Sequence, residues 1–250
     1  MIIRTANWIL ERFGFRIIKS GPHFPADILG DELFMDLYGR CKDYTMTSVE
    51  RLYGLYQSLQ YILENGIAGD FVECGVWKGG SSMMISLFLK EKGILDRKIY
   101  LYDTFEGMSD PSELDRKSSG ELASGLLKEQ DKLDSESIWC YSSLEEVKSN
   151  LRKTGYPLGN LIFVKGKVED TLSQQLPGKL ALLRLDTDWY ESTKIELELL
   201  YPLLADKGIL IIDDFGFWEG AKKAVVEYFA KMGKSPFLHR IDFTGRLYIK

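Results

Sequence analysis

From Phe71 onward, short apolar runs alternate with longer segments whose apolar residues recur every three or four positions. Short apolar runs bounded by turn residues mark buried strands, and the helical repeat marks the helices that cover them. The pattern predicts strands at 71–74, 99–102, 161–164, 180–185 and 209–212. It predicts helices over 82–92, 144–151, 191–204 and 219–232, and a terminal β-hairpin from 237–241 and 246–249 across Thr244-Gly245. Upstream, Thr47 or Ser48, with Glu50 close behind, caps a helix that runs to Asn65 before Gly66. Residues 19–46, with Gly-Pro and Phe-Pro steps, read as irregular. Residues 2–18 wind as a basic amphipathic helix, with Ile2, Ala6, Ile9, Leu10 and Phe13 at helical spacing among Arg4, Arg12 and Arg16. Packing against the body or a second copy is favoured for it over a membrane surface, so self-association is expected. Residues 105–140 are long and polar, the mark of a lid or binding loop with some helix of its own.

Strands alternating with helices imply a doubly wound, mostly parallel α/β sheet, and five strands plus the hairpin give seven. Residues 47–250 form the expected domain, with 1–46 as a helical or irregular extension. Ligands in such sheets bind outside the carboxyl ends of the strands. Glu73, Asp103, Gly166, Asp186 and Asp213 all fall at such ends, which points to one shared site.

Composition removes other classes. The 250 residues are 45% hydrophobic and 28% charged, ordinary for a soluble domain. A net charge of -5 without a basic stripe argues against a nucleic-acid partner. Three widely spaced cysteines form neither a zinc pattern nor a disulfide framework, so a reducing cytoplasm is expected. No apolar run is long enough to span a bilayer, and the N-terminus lacks a signal-peptide pattern.

The first strand runs into Glu73-Cys74-Gly75-Val76-Trp77-Lys78-Gly79-Gly80-Ser81. The spacing differs from the dinucleotide fingerprint, and Glu73 would repel a phosphate while accepting from an ammonium or hydroxyl. S-adenosylmethionine has that chemistry: an ammonium, a ribose and an adenine, with no phosphate. Asp103 is placed to accept from ribose hydroxyls. Gly166 and Val168 follow the third strand and line the adenine edge, with Met108 as another apolar face. A tight turn without a ligand is the bland alternative, and two acids at consecutive strand ends count against it.

Two later runs end in acid, Leu185 in Asp186-Thr187-Asp188 and Ile212 in Asp213-Asp214. Crowded carboxylates need a cation or a proton between them. An oxygen-only set suits magnesium or calcium, and neither histidine lies in these motifs. Asp186, Asp213 and Asp214 are assigned to the metal and Asp188 to the base. A strand continuing through Asp186 and Asp188 aims both side chains the same way, so spacing does not order that pair. Such acids also serve as helix caps or solvated turns, and the coincidence of two pairs favours the metal. Trp189, Tyr190, Phe217 and Trp218 beside the acids are core, rim or the wall of an acceptor pocket.

The blocks ERLYGLYQSLQYIL (after Thr45-Met46-Thr47), GDFVECGVWKGGSS, YLYDTFEGM, LLRLDTDWYEST and ILIIDDFGFWEGAKKAV resemble the macrocin O-methyltransferase family over roughly residues 41–250. The resemblance implies a Rossmann-like class I methyltransferase fold, S-adenosylmethionine as donor, magnesium, and a sugar hydroxyl of a natural product or glycan as acceptor. It places the metal on Asp186, Asp213 and Asp214, the base at Asp188, and the donor pocket on Glu73, Gly75, Asp103, Met46 and Ser81. A catechol-like phenol as acceptor, or a non-catalytic binding protein that keeps the cofactor fold, are the rival expectations. The glycine spacing and Glu73 exclude a nicotinamide enzyme.

Overall fold

The computed structural model describes residues 24–134 and 137–250; the amphipathic helix expected over 2–18 lies outside them. Strands β1 (Asp70–Cys74), β2 (Ile99–Asp103), β3 (Leu161–Lys165), β4 (Leu180–Leu185) and β5 (Leu204–Ile212) pair in parallel. The hairpin strands β6 (His239–Arg240) and β7 (Arg246–Ile249) add antiparallel to β5. The sheet order is β3-β2-β1-β4-β5-β7-β6. The chain therefore reverses direction across the sheet between β1 and β4, where ligands bind in this architecture. In register, Cys74 lies beside Leu185 and Leu185 beside Ile212, so the Gly-rich turn and both acid pairs emerge at one edge.

Helices cover both faces because both faces of the parallel strands are apolar. On one side lie α1 (Ala26–Leu29), α2 (Glu32–Cys41), α3 (Val49–Glu64), α4 (Gly80–Glu91) and α6 (Leu144–Arg152). Their Phe34, Leu52, Leu59, Met84, Phe88 and Val147 pack with Phe71 and Leu101. On the other side, Leu197 and Leu200 of α8 (Tyr190–Leu200) and Val225 and Phe229 of α9 (Glu219–Lys231) pack on Val72, Leu183 and Ile212. Two short helices, α5 (Ala123–Glu129) and α7 (Val168–Thr171), lie in the connections after β2 and β3.

Three details differ from the sequence expectation. Residues 26–41 are helical: Asp31 caps α2 by accepting from the Phe34 amide at 2.9 Å, and Phe34, Leu37 and Cys41 join the core. Charged neighbours dilute this stripe, which hides it from the pattern. Helix α8 stops at Leu200, because Pro202 lacks the amide an α-helix needs, and a 3-10 turn over Tyr201–Leu203 leads into a longer β5. The second hairpin strand agrees with expectation, but the first shrinks to His239–Arg240, while Phe237 is exposed.

Candidate active site

A cleft of about 460 Å³ crosses the carboxyl ends of the parallel strands. The residues assigned by sequence to the donor, the metal and the base all line it: Met46, Glu73, Gly75, Ser81, Asp103, Gly166, Val168, Asp186, Asp188, Asp213 and Asp214.

The turn after β1 is built by close backbone approach. Gly75 has φ +81°, and a Cβ there would lie 1.8 Å from the Asp186 carbonyl oxygen. Only glycine lets the exits of β1 and β4 pass so closely. Asp103 clamps the same turn: Oδ2 accepts from the Val76 and Trp77 amides at 2.7 and 3.2 Å, and Oδ1 from Phe105 at 2.6 Å. Burial pushes its carboxyl up, against those amide bonds. The Thr104 hydroxyl is a fourth donor, 3.4 Å from Oδ1, so the carboxylate expected to meet a ribose has its roughly four lone-pair directions engaged within the protein. Glu73 is fully buried: Oε1 accepts from Arg184 Nη1 at 2.7 Å and Oε2 from the Ser82 hydroxyl. The carboxylate expected to meet a ligand ammonium thus has both oxygens engaged inside the protein. Met46 is 49% exposed at the mouth of the cleft, whereas Ser81 and Val168 are buried.

At the other end, hydrogen bonds continue one step past each strand. The Asp186 amide donates to Cys74 O at 2.8 Å and the Asp213 amide to Leu185 O at 2.9 Å. One oxygen from each of Asp186, Asp213 and Asp214 falls within 4.8 Å of the others. The pair left unordered by spacing is separated here, because β4 stops at Leu185. Asp188 turns back with φ +67°, and the Trp189 amide donates to Thr187 O at 2.7 Å. Asp186 faces Arg184, while Asp188 hydrogen-bonds Asp214 and Trp218. Beneath the loop the buried Glu196 accepts from the Thr187 hydroxyl at 3.0 Å.

Burial drives the titration of this cluster. It pushes Asp186 well up, against the pull of Arg184 and with the push of Asp213 and Asp214. It pushes Asp214 well up together with the charges of Asp188 and Asp213. Asp188 is pushed up to about 7 by burial, against its bond to Asp214 and with the added charge of Asp186.

Two arginines absent from the sequence assignment stand among these acids. Arg184, its side chain 2% exposed, contacts Glu73 at 2.7 Å, Asp186 at 2.6 Å and Asp213 at 2.6 Å. Arg51, from the first turn of α3, reaches Asp242 Oδ2 with Nε at 2.8 Å and Asp213 Oδ2 with Nη1. The signal for Arg184 is present in the sequence, since a charge inside the run LALLRL must find partners once buried. Arg51 carries no such signal. The three oxygen donors fit a hard divalent cation such as magnesium, and both oxygens of Asp213 already carry a guanidinium.

The segment after β2 forms one wall of the cleft. Met108, Ser109, Ile138 and Cys140 line the cleft, as do Phe217 and Trp218. Trp189 is buried behind Trp218 at 5.0 Å, and its Nε1 donates to Ser109 O at 3.0 Å; Tyr190 points away to Glu227. Sequence reasoning did not single out Asp115, which is 1% exposed. Its Oδ1 accepts from the Tyr190 amide at the start of α8 at 2.7 Å, and its Oδ2 from the Ser112 amide and hydroxyl at 2.7 and 2.8 Å.

Among the described residues no helix is long and apolar enough to cross a membrane. The model of the macrocin-O-methyltransferase (TylF) family matches residues 39–250. The chain is 34% identical over 206 residues (81% of this chain, 74% of the relative) to an 8-demethyl-8-(2,3-dimethoxy-alpha-L-rhamnosyl)-tetracenomycin-C 4'-O-methyltransferase of Streptomyces olivaceus. It is 30% identical over 202 residues (81% and 76%) to a mycinamicin III 3''-O-methyltransferase of Micromonospora griseorubida. Among solved structures, the O-methyltransferase NovP superposes with TM-score 0.71 at 32% identity, covering 83% of this chain and 82% of that one. The calicheamicin methyltransferase CalS11 shares the fold at 17% identity, TM-score 0.60, covering 99% of this chain and 91% of that one. With its glycine turn and acid-tipped strands opening into one cleft, the chain belongs to the macrocin-O-methyltransferase family and is an S-adenosylmethionine-dependent O-methyltransferase.

Proposed function

We propose that the protein methylates a sugar hydroxyl of a glycosylated natural product, with magnesium as cofactor. The observation that carries this is the convergence of Asp186, Asp213 and Asp214 beside an Asp188 carboxyl pushed up to about 7. The relative from Streptomyces olivaceus is named for a rhamnosyl-bearing tetracenomycin, which supports a glycoside as acceptor. Met46, Gly75, Ser81, Asp103, Gly166 and Val168 form the donor pocket, with Glu73 supporting it through Ser82 and Arg184.

S-adenosylmethionine would supply a methyl group on a sulfonium, and Asp186, Asp213 and Asp214 would hold a magnesium ion whose Lewis acidity would make the acceptor hydroxyl more acidic. Asp188 takes the hydroxyl proton, a role supported by its place beside the three acids and by the burial that raises its carboxyl. The oxygen–carbon bond forms as the sulfur–carbon bond breaks, leaving a methyl ether and a neutral thioether. Phe217, Trp218 and Met108 keep water from the transfer and offer faces on which a sugar ring packs.

The test is Asp213→Asn with donor binding followed by calorimetry and transfer assayed on a panel of glycosides and catechols. The expected result is donor affinity close to wild type and transfer reduced about 10³-fold. Loss of donor binding would refute the division of labour, and wild-type turnover of catechols alone would replace the sugar by a phenol.

A further inference from the structure

Arg51 and Arg184 both sit on Asp213, but they are held differently. Arg184 lies within β4, 2% exposed, and three carboxylates surround it. Its removal would leave Glu73 buried without a charge partner. Arg51 reaches in from α3, is 15% exposed, and touches Asp213 and Asp242. Asp242 does not depend on it. The Ser48 hydroxyl donates to Asp242 Oδ2 at 2.7 Å, and the amides of Thr244 and Gly245 donate to Oδ1 at 2.9 and 2.7 Å.

The contact that matters is Arg51 Nη1 on Asp213 Oδ2, because Oδ1 of that carboxylate is held by Arg184 Nη2. A dication coordinated by Asp213 would share an oxygen with a guanidinium. The two cations would then lie about 4 Å apart in a largely buried site, where like charges repel strongly. The guanidinium has somewhere to go: Nε keeps its bond to Asp242 while Nη1 leaves, a rotation about an anchored point.

We propose that Arg51 is the resident counter-cation of Asp213 and that a divalent cation binds by displacing it. The proposal rests on the magnesium reading above. In the metal-free protein Arg51 neutralises part of the acid cluster and ties α3 to the β6–β7 turn. In the loaded protein it is held by Asp242 alone, at the edge of the cleft lined by Phe243 and Thr244. Arg51 is thus a positioning residue that lowers metal affinity while keeping the empty site folded.

The experiment titrates Mn²⁺ into the full chain and follows free Mn²⁺ by its paramagnetic resonance signal, for wild type, Arg51→Met and Arg51→Gln. Both variants should bind Mn²⁺ about tenfold more tightly or better, the effect of removing a competing charge. Their metal-free unfolding temperature should fall and its rise on adding Mn²⁺ should grow. A folding defect weakens binding, so a gain in affinity is not reproduced by damage. The extra affinity should vanish when Asp213→Asn is added. Wild-type binding with no gain in either variant overturns the displacement and leaves the magnesium reading standing. A gain that survives Asp213→Asn also overturns it, and absence of Mn²⁺ binding in every protein overturns both.

Discussion

The two ends of the cleft are built on different principles. The end proposed for the donor is made of backbone: Gly75 lets two strand exits touch, and the amides of Val76, Trp77 and Phe105 converge on Asp103. The acid end is made of charged side chains from distant segments, Arg51 meeting Asp213 and Asp242, and Arg184 joining Glu73 to Asp186 and Asp213. A backbone site is fixed once the strand and turn form. A charge network is fixed only when every partner arrives, and it changes whenever a proton or cation enters. The glycine-turn end is therefore set by the fold itself, and the acid end is the one that a proton or a cation can rearrange.

Arg184 joins the two ends through Glu73, Asp186 and Asp213, so removing it tests the comparison most severely. Arg184→Met leaves Glu73 and Asp213 buried beside less positive charge. Breaking a buried ion pair costs about 3–5 kcal/mol, and a large drop in unfolding temperature is expected. If the ends are joined only through this residue, the folded fraction of the variant loses both donor and Mn²⁺ affinity in calorimetry. Retention of donor affinity would show that the backbone alone sets the donor end, which sharpens the contrast.

A smaller effect, confined to the acid end, is expected from Asp188. As the proposed base it would work deprotonated, and burial pushes its carboxyl up to about 7 in the metal-free protein. A dication on the neighbouring acids would pull that value down, so transfer should rise with pH through a limb below about 7 and level off above it, falling about tenfold per unit below the limb. Asp188→Asn should lower kcat about 10²-fold, remove that limb of the profile and leave donor affinity unchanged. An unaltered pH profile in the variant would reassign the base.

The same contrast explains what was legible in the sequence. Strands, glycine turn and acid pairs are local signals, apolar runs ending in glycine or aspartate, and all the residues they mark line one cleft. Contacts joining residues far apart in the chain, such as Arg51 to Asp213, are set by the sheet order and leave no local trace. Arg184 was half-legible: its position inside an apolar strand announces a buried charge, but its partners come from β1 and β5. The turn at Asp188 escaped for another reason. A non-glycine residue at φ +67° breaks the strand alternation that would have aimed Asp186 and Asp188 alike.

The least disruptive probe concerns the segment after β2 that walls the cleft. Asp115 fastens it to the body through the Tyr190 amide, and a Cβ on Gly220 would come within 2.0 Å of Asp115 Oδ1. Asp115→Asn keeps one acceptor for Tyr190 but turns the other oxygen into a donor facing the Ser112 amide. That mismatch costs about 1–3 kcal/mol. It falls on a segment also tied by Ser109 to Trp189 Nε1, by the Arg116 carbonyl to the Glu219 amide, and by Ala123, Leu126 and Leu127 packed with Trp189 and Trp218. The segment should loosen locally while the sheet stays intact. A KM for the acceptor raised several-fold, with donor affinity and pH profile unchanged, is the expected result. A parallel fall in donor affinity would show that the segment after β2 serves both ends, and the division between a backbone end and a side-chain end would then stop at the sheet edge.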